Sequence, residues 1–287
     1  EPLTLTRIKA SLQTYIFPTL GNRPMASIRP GEVPAAVKQI EAGGASDQAG
    51  RVLQRVKAIY RWAVTHERIE VHPMLDLVPS EILQPRQVNH RAAMTDRELP
   101  TFLEKLDAYE GDPHTVLALR LLMLTATRPG EVRGAPWAEF DLDGAMWIIP
   151  AERMKMRHEH RVPLSRQALA VLQEMSAHSA GRVLAFPSPF YPGKPLSENT
   201  FNSALARMGY KGAATPHGFR ALFSTVANEK GWNPDVIERQ LAHKERNEVR
   251  AAYHRTTYMA ERTKLLQWWA DYVDARRSGK VVSMRPA

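Results

Sequence analysis

Cysteine is absent from all 287 residues. Disulfides and thiolate metal sites are therefore excluded, and the composition fits a reducing cytosol. No apolar run approaches the roughly 20 residues that cross a bilayer. The chain opens without a signal-peptide pattern. Neither a Walker loop nor a dinucleotide fingerprint occurs, so nucleotide chemistry loses its usual phosphate cradles. Gly-x-Ser-x-Gly is missing as well. The carboxylates are scattered, whereas a two-metal nuclease needs them gathered around its ions. Residue 1 is Glu rather than Met, which predicts a fragment with something upstream.

Positive charge is plentiful. Lys and Arg number 39 against 30 Asp and Glu, giving a net charge of +9 and a pI near 9.8. The excess is +4 over residues 1–92 and +5 over 93–287, so both halves suit one long anion. On charge alone a merely basic globular protein is an equally good reading. The length allows two domains, each with its own core.

Apolar spacing predicts a helix over 4–16 through Leu5, Ile8, Leu12 and Ile16, broken by Pro18, Gly21 and Pro24. A helix running to about Ala42 ends at Gly43-Gly44. Ser46 is placed to cap the next, over about 47–66, whose apolar face is Val52, Val56, Ile59, Tyr60 and Val64. Arg51, Arg55, Lys57 and Arg61 cover its other faces. They form either a solvated basic surface, the better reading of this helix alone, or a row lying along DNA phosphates. Residues 81–92 are expected to be a linker, with Arg86 and Arg91 as further candidate DNA contacts. It separates a helical domain, 1–80, from a second domain, 93–287.

The second domain opens on Thr95 and Glu98, the spacing of a capping box. Helices are predicted over 96–108 and about 114–126, the latter ending at Thr127-Arg128-Pro129-Gly130. Strands over Met146–Ile149 and Arg161–Leu164 flank a hairpin formed by 151–160. Ser165 should cap a helix over 166–178. Further helices are expected at about 198–208, 216–230, 234–242, 246–252 and 259–276, the last with Leu265, Leu266, Trp269, Tyr272 and Val273 inward. The fold class is mainly α with a small antiparallel sheet.

Several residues could do chemistry. Thr215 and Pro216 suit an N-cap and a first helical position, which would stack His217 and Arg220 one turn apart beside free backbone N–H groups. A phosphate would meet an imidazole and a guanidinium there. Equally, His217 packs and Arg220 pairs with a carboxylate, since His-x-x-Arg alone is weak. Arg128 follows an apolar helix and can be aimed by the turn. Lys155 lies at a hairpin tip, either a solvated edge charge or a proton donor reaching a groove. His158 and His160 share that hairpin but show no metal-ligand spacing. Tyr253, with a hydroxyl pKa near 10, attacks only if a base or nearby positive charge favours the phenolate.

Taken in order, Arg128, Lys155, His217-x-x-Arg220, His243 and Tyr253 resemble the signature of the tyrosine recombinases, the phage integrase family. Thr-Ala-Thr-Arg-Pro-Gly-Glu-Val resembles the first arginine box, and Met-Lys-Met-Arg-x-x-x-x-Val-Pro-Leu the lysine hairpin. Pro-His-Gly-Phe-Arg and Leu-Ala-His-Lys resemble the two later boxes. Val-Arg-Ala-Ala-Tyr-His-Arg is similar to the nucleophile box of P4-type integrases from prophages and genomic islands, and Tyr253 fits it where nearby Tyr258 does not. The likeness covers 93–287 closely and 4–80 more loosely.

The resemblance implies a helical core-binding domain followed by a catalytic domain, and a site-specific recombinase acting through a 3′-phosphotyrosine. Arg128 and Arg220 would clamp the scissile phosphate, Lys155 would protonate the leaving 5′ oxygen, and His217 would assist proton transfer at the tyrosine. His243 would hydrogen-bond the phosphate and Tyr253 would attack. No metal, ATP or other cofactor is implied. The implied partners are double-stranded attachment-site DNA and three further copies of the chain on that DNA, with directionality and DNA-bending factors. The implied location is the bacterial cytoplasm, on the nucleoid when bound to DNA, with no membrane partner. P4-type relatives usually carry an N-terminal arm-binding domain, and the resemblance leads to the expectation that it is not among these 287 residues. Two rivals keep part of this plan: a type IB topoisomerase, which relaxes DNA without exchanging partners, and a non-catalytic DNA-binding regulator.

Overall fold

A computed structural model describes residues 2–85, 93–243 and 257–277. Its contacts divide the chain into two units, Glu1–Asn89 and His90–Ala287.

The first unit is helical: α1 (Pro2–Tyr15), α2 (Phe17–Leu20), α3 (Glu32–Ala42), α4 (Ser46–Thr65) and α5 (Pro79–Ile82). The core joins Leu12 and Ile16 to Val33, Val37 and Ile40 of α3 and to Val52, Leu53, Val56 and Tyr60 of α4. Two expectations need correcting here. Ser46 is the first residue of α4 rather than its cap; Ala45 holds the cap position without a side-chain bond. Ile59 lies at the edge of the apolar stripe and stays 40% exposed, because Ala49, Leu53 and Ala63 complete the buried face. Pro18 does not end helical structure at once, since it fits the first turn of α2. Leu83 packs into the same core, past the end of α5.

The second unit is built on α7 (Pro113–Thr125), which is buried on nearly every side, as an all-round apolar helix must be. Around it lie α6 (Leu99–Asp107), α9 (Arg166–His178), α10 (Thr200–Arg207), α11 (Gly218–Glu229) and α13 (Met259–Arg277). Short helices α8 (Pro129–Arg133) and α12 (Pro234–Gln240) complete the α-helices among the described residues of this unit, beside 3-10 turns at Asp96–Glu98, Trp137–Glu139 and Ala151–Arg153. The Thr95–Glu98 capping box forms as expected, and the Ser165 hydroxyl caps α9 by accepting from Ala168 N. The inward stripe of α13 is the one its spacing predicts. Trp269 also donates from Nε1 to Met123 O at 2.8 Å.

The sheet has three strands, not two. β1 (Phe140–Asp141) pairs with β2 (Met146–Ile149), and β2 with β3 (His160–Pro163), all antiparallel in the order β1-β2-β3. Two residues are too short a strand to show a period. Helix α11 also starts later than expected. His217 is its N-cap and Gly218 its first residue, while the Thr215 hydroxyl accepts from Gly218 N at 3.1 Å. No described helix is long and apolar enough to cross a membrane.

Candidate active site

Two helices of the second unit end in the left-handed conformation on an alanine. Ala126, after α7, has φ 51°, and Ala242, after α12, has φ 48°. Such a turn costs a non-glycine residue roughly 1 kcal/mol, and it aims the carbonyls sharply. His243 N donates to Glu238 O and Ala242 N to Arg239 O, the paired bonds that close a helix C-terminus.

These two turns hold the two sequence-predicted arginines crosswise. Arg220, on the first turn of α11, is only 3% exposed and donates from Nη1 to Ala126 O at 2.5 Å and from Nη2 to Leu241 O at 2.6 Å. Arg128, the N-cap of α8, donates from Nη2 to Ala242 O at 3.1 Å. Its Nη1 meets Glu131 Oε1 at 2.8 Å, while Glu131 Oε2 accepts from Arg128 N at 2.7 Å. Glu131 is itself buried, so one carboxylate both caps the helix and fixes the guanidinium. Burial, followed by the neighbouring Arg128 charge, pulls the Arg220 guanidinium down to about 10. It remains a cation at neutral pH. Its Nε has no hydrogen-bond partner among the described residues.

His243 joins the two arginines. Its Nε2 lies 3.2 Å from Arg220 Nη2 and its Nδ1 lies 2.8 Å from Glu238 Oε2. A guanidinium can only donate, so Nε2 accepts here and the Nδ1 proton goes to Glu238. His217 is half-buried at the cap of the helix that carries Arg220. Lys155 is exposed on the β2–β3 hairpin. Arg153, two residues before it, donates from Nη2 to Glu131 O at 2.6 Å and pairs with Glu139, tying the hairpin base to the Arg128 turn. Met154 and Met156, on either side of Lys155, line a cleft with His158, Ala242, His243 and Arg262. Thus Arg128, Arg220 and His243 are in one cluster, with Lys155 and His217 on the elements that border it. Tyr253 lies outside the described residues. Tyr258, the rival tyrosine, is partly buried against the core.

The candidate DNA contacts of the first unit are arranged differently. Arg51 pairs with Asp47 at 2.8 Å on the helix surface. Arg55 donates to the Ser11 hydroxyl, and Lys57 donates to the carbonyls of Leu75 (3.1 Å) and Leu77 (2.7 Å). Arg61 is exposed. Arg86 and Arg91 lie outside the described residues.

Sequence reasoning gave no role to Glu131, Glu238, Gln240 or Arg262. Glu131 had a local signal, a carboxylate three residues after an N-cap. Arg262 had none, because Glu-Arg-Thr-Lys reads as a solvated helix face. It is instead 4% exposed, held by carbonyl oxygens of Gln240 and Arg161.

The Phage integrase family model matches residues 92–259, and the Phage integrase central domain model matches residues 1–79. The chain is 40% identical over 295 residues to the integrase of Enterobacteria phage P4, covering 97% of this chain and 66% of that protein. It spans about two thirds of the length of the curated relatives it matches. Among solved structures, a lambda integrase dimer bound to a COC' core site is similar with a TM-score of 0.69 and 19% identity, over 90% of this chain and 73% of that one. A lambda integrase tetramer bound to a Holliday junction gives a TM-score of 0.68 and 18% identity, over 86% and 73%. At such identities the likeness is one of fold.

Proposed function

Because the chain belongs to the phage integrase family, we propose that it is a site-specific DNA recombinase serving the integration and excision of a prophage or genomic island. The observation that carries this reading is the crossed arrangement of Arg128, Arg220 and His243, three polar groups from separate elements held on one spot by backbone carbonyls and carboxylates. A phosphodiester under attack gains negative charge on its non-bridging oxygens, and fixed cations are the means of meeting it. Arg128 and Arg220 take those oxygens. His243, oriented by Glu238 at its Nδ1, hydrogen-bonds the phosphate beside Arg220. The charge is met by side chains, so the reading calls for neither metal nor ATP.

Tyr253 attacks phosphorus, and its oxygen replaces the 5′ oxygen of the next nucleotide. The phenolic proton leaves with help from His217, and the departing 5′ oxygen takes one from Lys155. The resulting 3′-phosphotyrosine keeps the energy of the broken bond. A 5′ hydroxyl from a partner strand reverses the step and exchanges the ends. The first unit grips attachment-site DNA as a core-binding domain, through phosphates along α4. Arg86 and Arg91 belong to that grip. The lambda integrase tetramer on a Holliday junction supports four copies as the working assembly. Directionality and DNA-bending factors set the direction.

The test is a nicked suicide duplex carrying the element's own attachment site, incubated with the chain in EDTA. A covalent protein–DNA adduct is expected, absent in Tyr253→Phe. No adduct at any protein concentration defeats the reading, and efficient relaxation of a plasmid without an attachment site transfers it to the topoisomerase rival.

A further inference from the structure

Gln240 is fully buried and polar at both ends, yet neither the phosphate chemistry nor the core packing calls for it. Its Nε2 donates to Thr125 O at 2.8 Å. Its Oε1 accepts from Arg262 Nε at 3.1 Å and Nη2 at 2.9 Å. Its own carbonyl accepts from His160 Nε2 at 3.1 Å. The amide orientation is unambiguous, because a guanidinium only donates and a carbonyl only accepts. Thr125 immediately precedes Ala126, and Gln240 immediately precedes Leu241 and Ala242. One side chain therefore bolts together the two helix ends whose carbonyls aim Arg220 and Arg128.

Arg262 is an odd choice for the other half of this contact. It sits in the first turn of α13, where the helix presents its positive end, and it is buried beside other cations. Burial and then Arg239 pull its guanidinium down to about 10. A cation retained at such a place is expected to hold something in position. What it holds is Gln240 Oε1 and, through Nη2 at 2.5 Å, the carbonyl of Arg161 on β3.

We infer that Gln240 and Arg262 form a buried latch that positions the two phosphate-binding arginines, fixing the α7 and α12 termini, β3 and the start of α13 in one register. The inference rests on the recombinase reading for its activity arm only. Both residues are positioning residues, not catalytic ones, since neither touches the phosphate.

Two measurements test it. In the free chain, Arg128 and Arg220 guanidinium signals are followed by NMR after assignment through single Arg→Lys substitutions, with Arg153 as the internal reference. Separate, slowly exchanging Nη–H signals are expected in the wild type. In Gln240→Ala they should merge for Arg128 and Arg220 and stay unchanged for Arg153. Gln240→Glu keeps an acceptor for Arg262 but loses the donor to Thr125, so it gives the same pattern and serves if the alanine variant fails to fold. In the second measurement, single-turnover adduct formation on the suicide duplex should slow about 100-fold at saturating DNA. Half-saturation should stay within about 3-fold of wild type, as expected when orientation is lost and binding kept. Arg262→Ala should slow adduct formation in the same way, and Arg262→Lys less, because the lysine keeps one donor for Gln240 Oε1. Wild-type guanidinium signals in both Gln240 variants, or a rate loss matched by an equal affinity loss, overturns the latch. A wild type that forms no adduct defeats the recombinase reading instead, and the NMR arm still judges the latch by itself.

Discussion

The cations of α4 and those around Ala126 and Ala242 are the same residue types put to opposite use. On α4 they stand on a helix surface, where Arg51 meets a neighbouring carboxylate and Arg61 faces solvent. Their positions follow the helical period, and of the four only Arg55 and Lys57 bond back to other described parts of the unit, at the Ser11 hydroxyl and the Leu75 and Leu77 carbonyls. In the second unit Arg220 is buried and each Nη is committed to a named carbonyl. Desolvation there raises the value of every charge–charge contact, at the cost of holding unpaired positive charge in the core. Charge that must only grip a long anion can stay on a surface. Charge that must meet one phosphorus atom has to be fixed by backbone.

The same conservative change should therefore have opposite outcomes in the two regions. Arg220→Lys keeps the charge but cannot span Ala126 O and Leu241 O while facing His243. Adduct formation on the suicide duplex is expected to fall about 100- to 1,000-fold, with DNA affinity far less affected. Arg61→Lys should leave both unchanged. Equal effects of the two substitutions would abolish the distinction.

How far sequence alone reaches also divides along this line. Local devices were legible: the all-round apolar α7, the Thr95–Glu98 box, the Ser165 cap and the stripe of α13. The family boxes named Arg128, Arg220 and His243 before any geometry. Gln240 and Arg262 were invisible, because Gln240 bonds across 115 residues to Thr125 and Arg262 across 101 to Arg161. No period or cap announces such bonds, and a polar residue on a helix reads as solvated until the fold buries it. The start of α11 was misplaced because Thr-Pro suits an N-cap, while here it forms the turn that precedes one.

Burial in the second unit also gives it a pH dependence. His160 is driven down to about 3, first by burial and then by the charges of Arg262 and Arg128, against a weaker opposing pull from the Gln240 carbonyl, with Arg220 adding least. The unfolded chain takes up this proton near 6.5 and the native one near 3. Stability is therefore complete above about pH 6.5 and falls as pH drops towards 3. At pH 5 the loss is about 2 kcal/mol, or roughly 4–8 °C in Tm for a unit of this size. Calorimetry between pH 7 and 4.5 checks it, since His160→Gln keeps a donor for Gln240 O and should remove about one proton from the slope. An unchanged slope would mean that His160 is charged in the native state and that the cluster tolerates still more positive charge.

The smallest effects are expected on α4, and they separate its own residues. Lys57 ties down the chain at Leu75 and Leu77, so Lys57→Met should cost about 1 kcal/mol of stability. Little change in salt dependence should accompany it, because its ammonium is already committed. Arg61→Ala should be nearly neutral for folding. If Arg61 meets a phosphate, its loss weakens DNA binding a few-fold on every sequence and lowers the slope of log affinity against log salt by about 1. Adduct formation at saturating DNA should not change, because on the proposed reading α4 supplies grip and no charge to the reacting phosphorus. The reverse pattern, with the slope moving in Lys57→Met and not in Arg61→Ala, would place the gripping face on the side of α4 that carries Lys57 and make Arg61 an ordinary solvated charge.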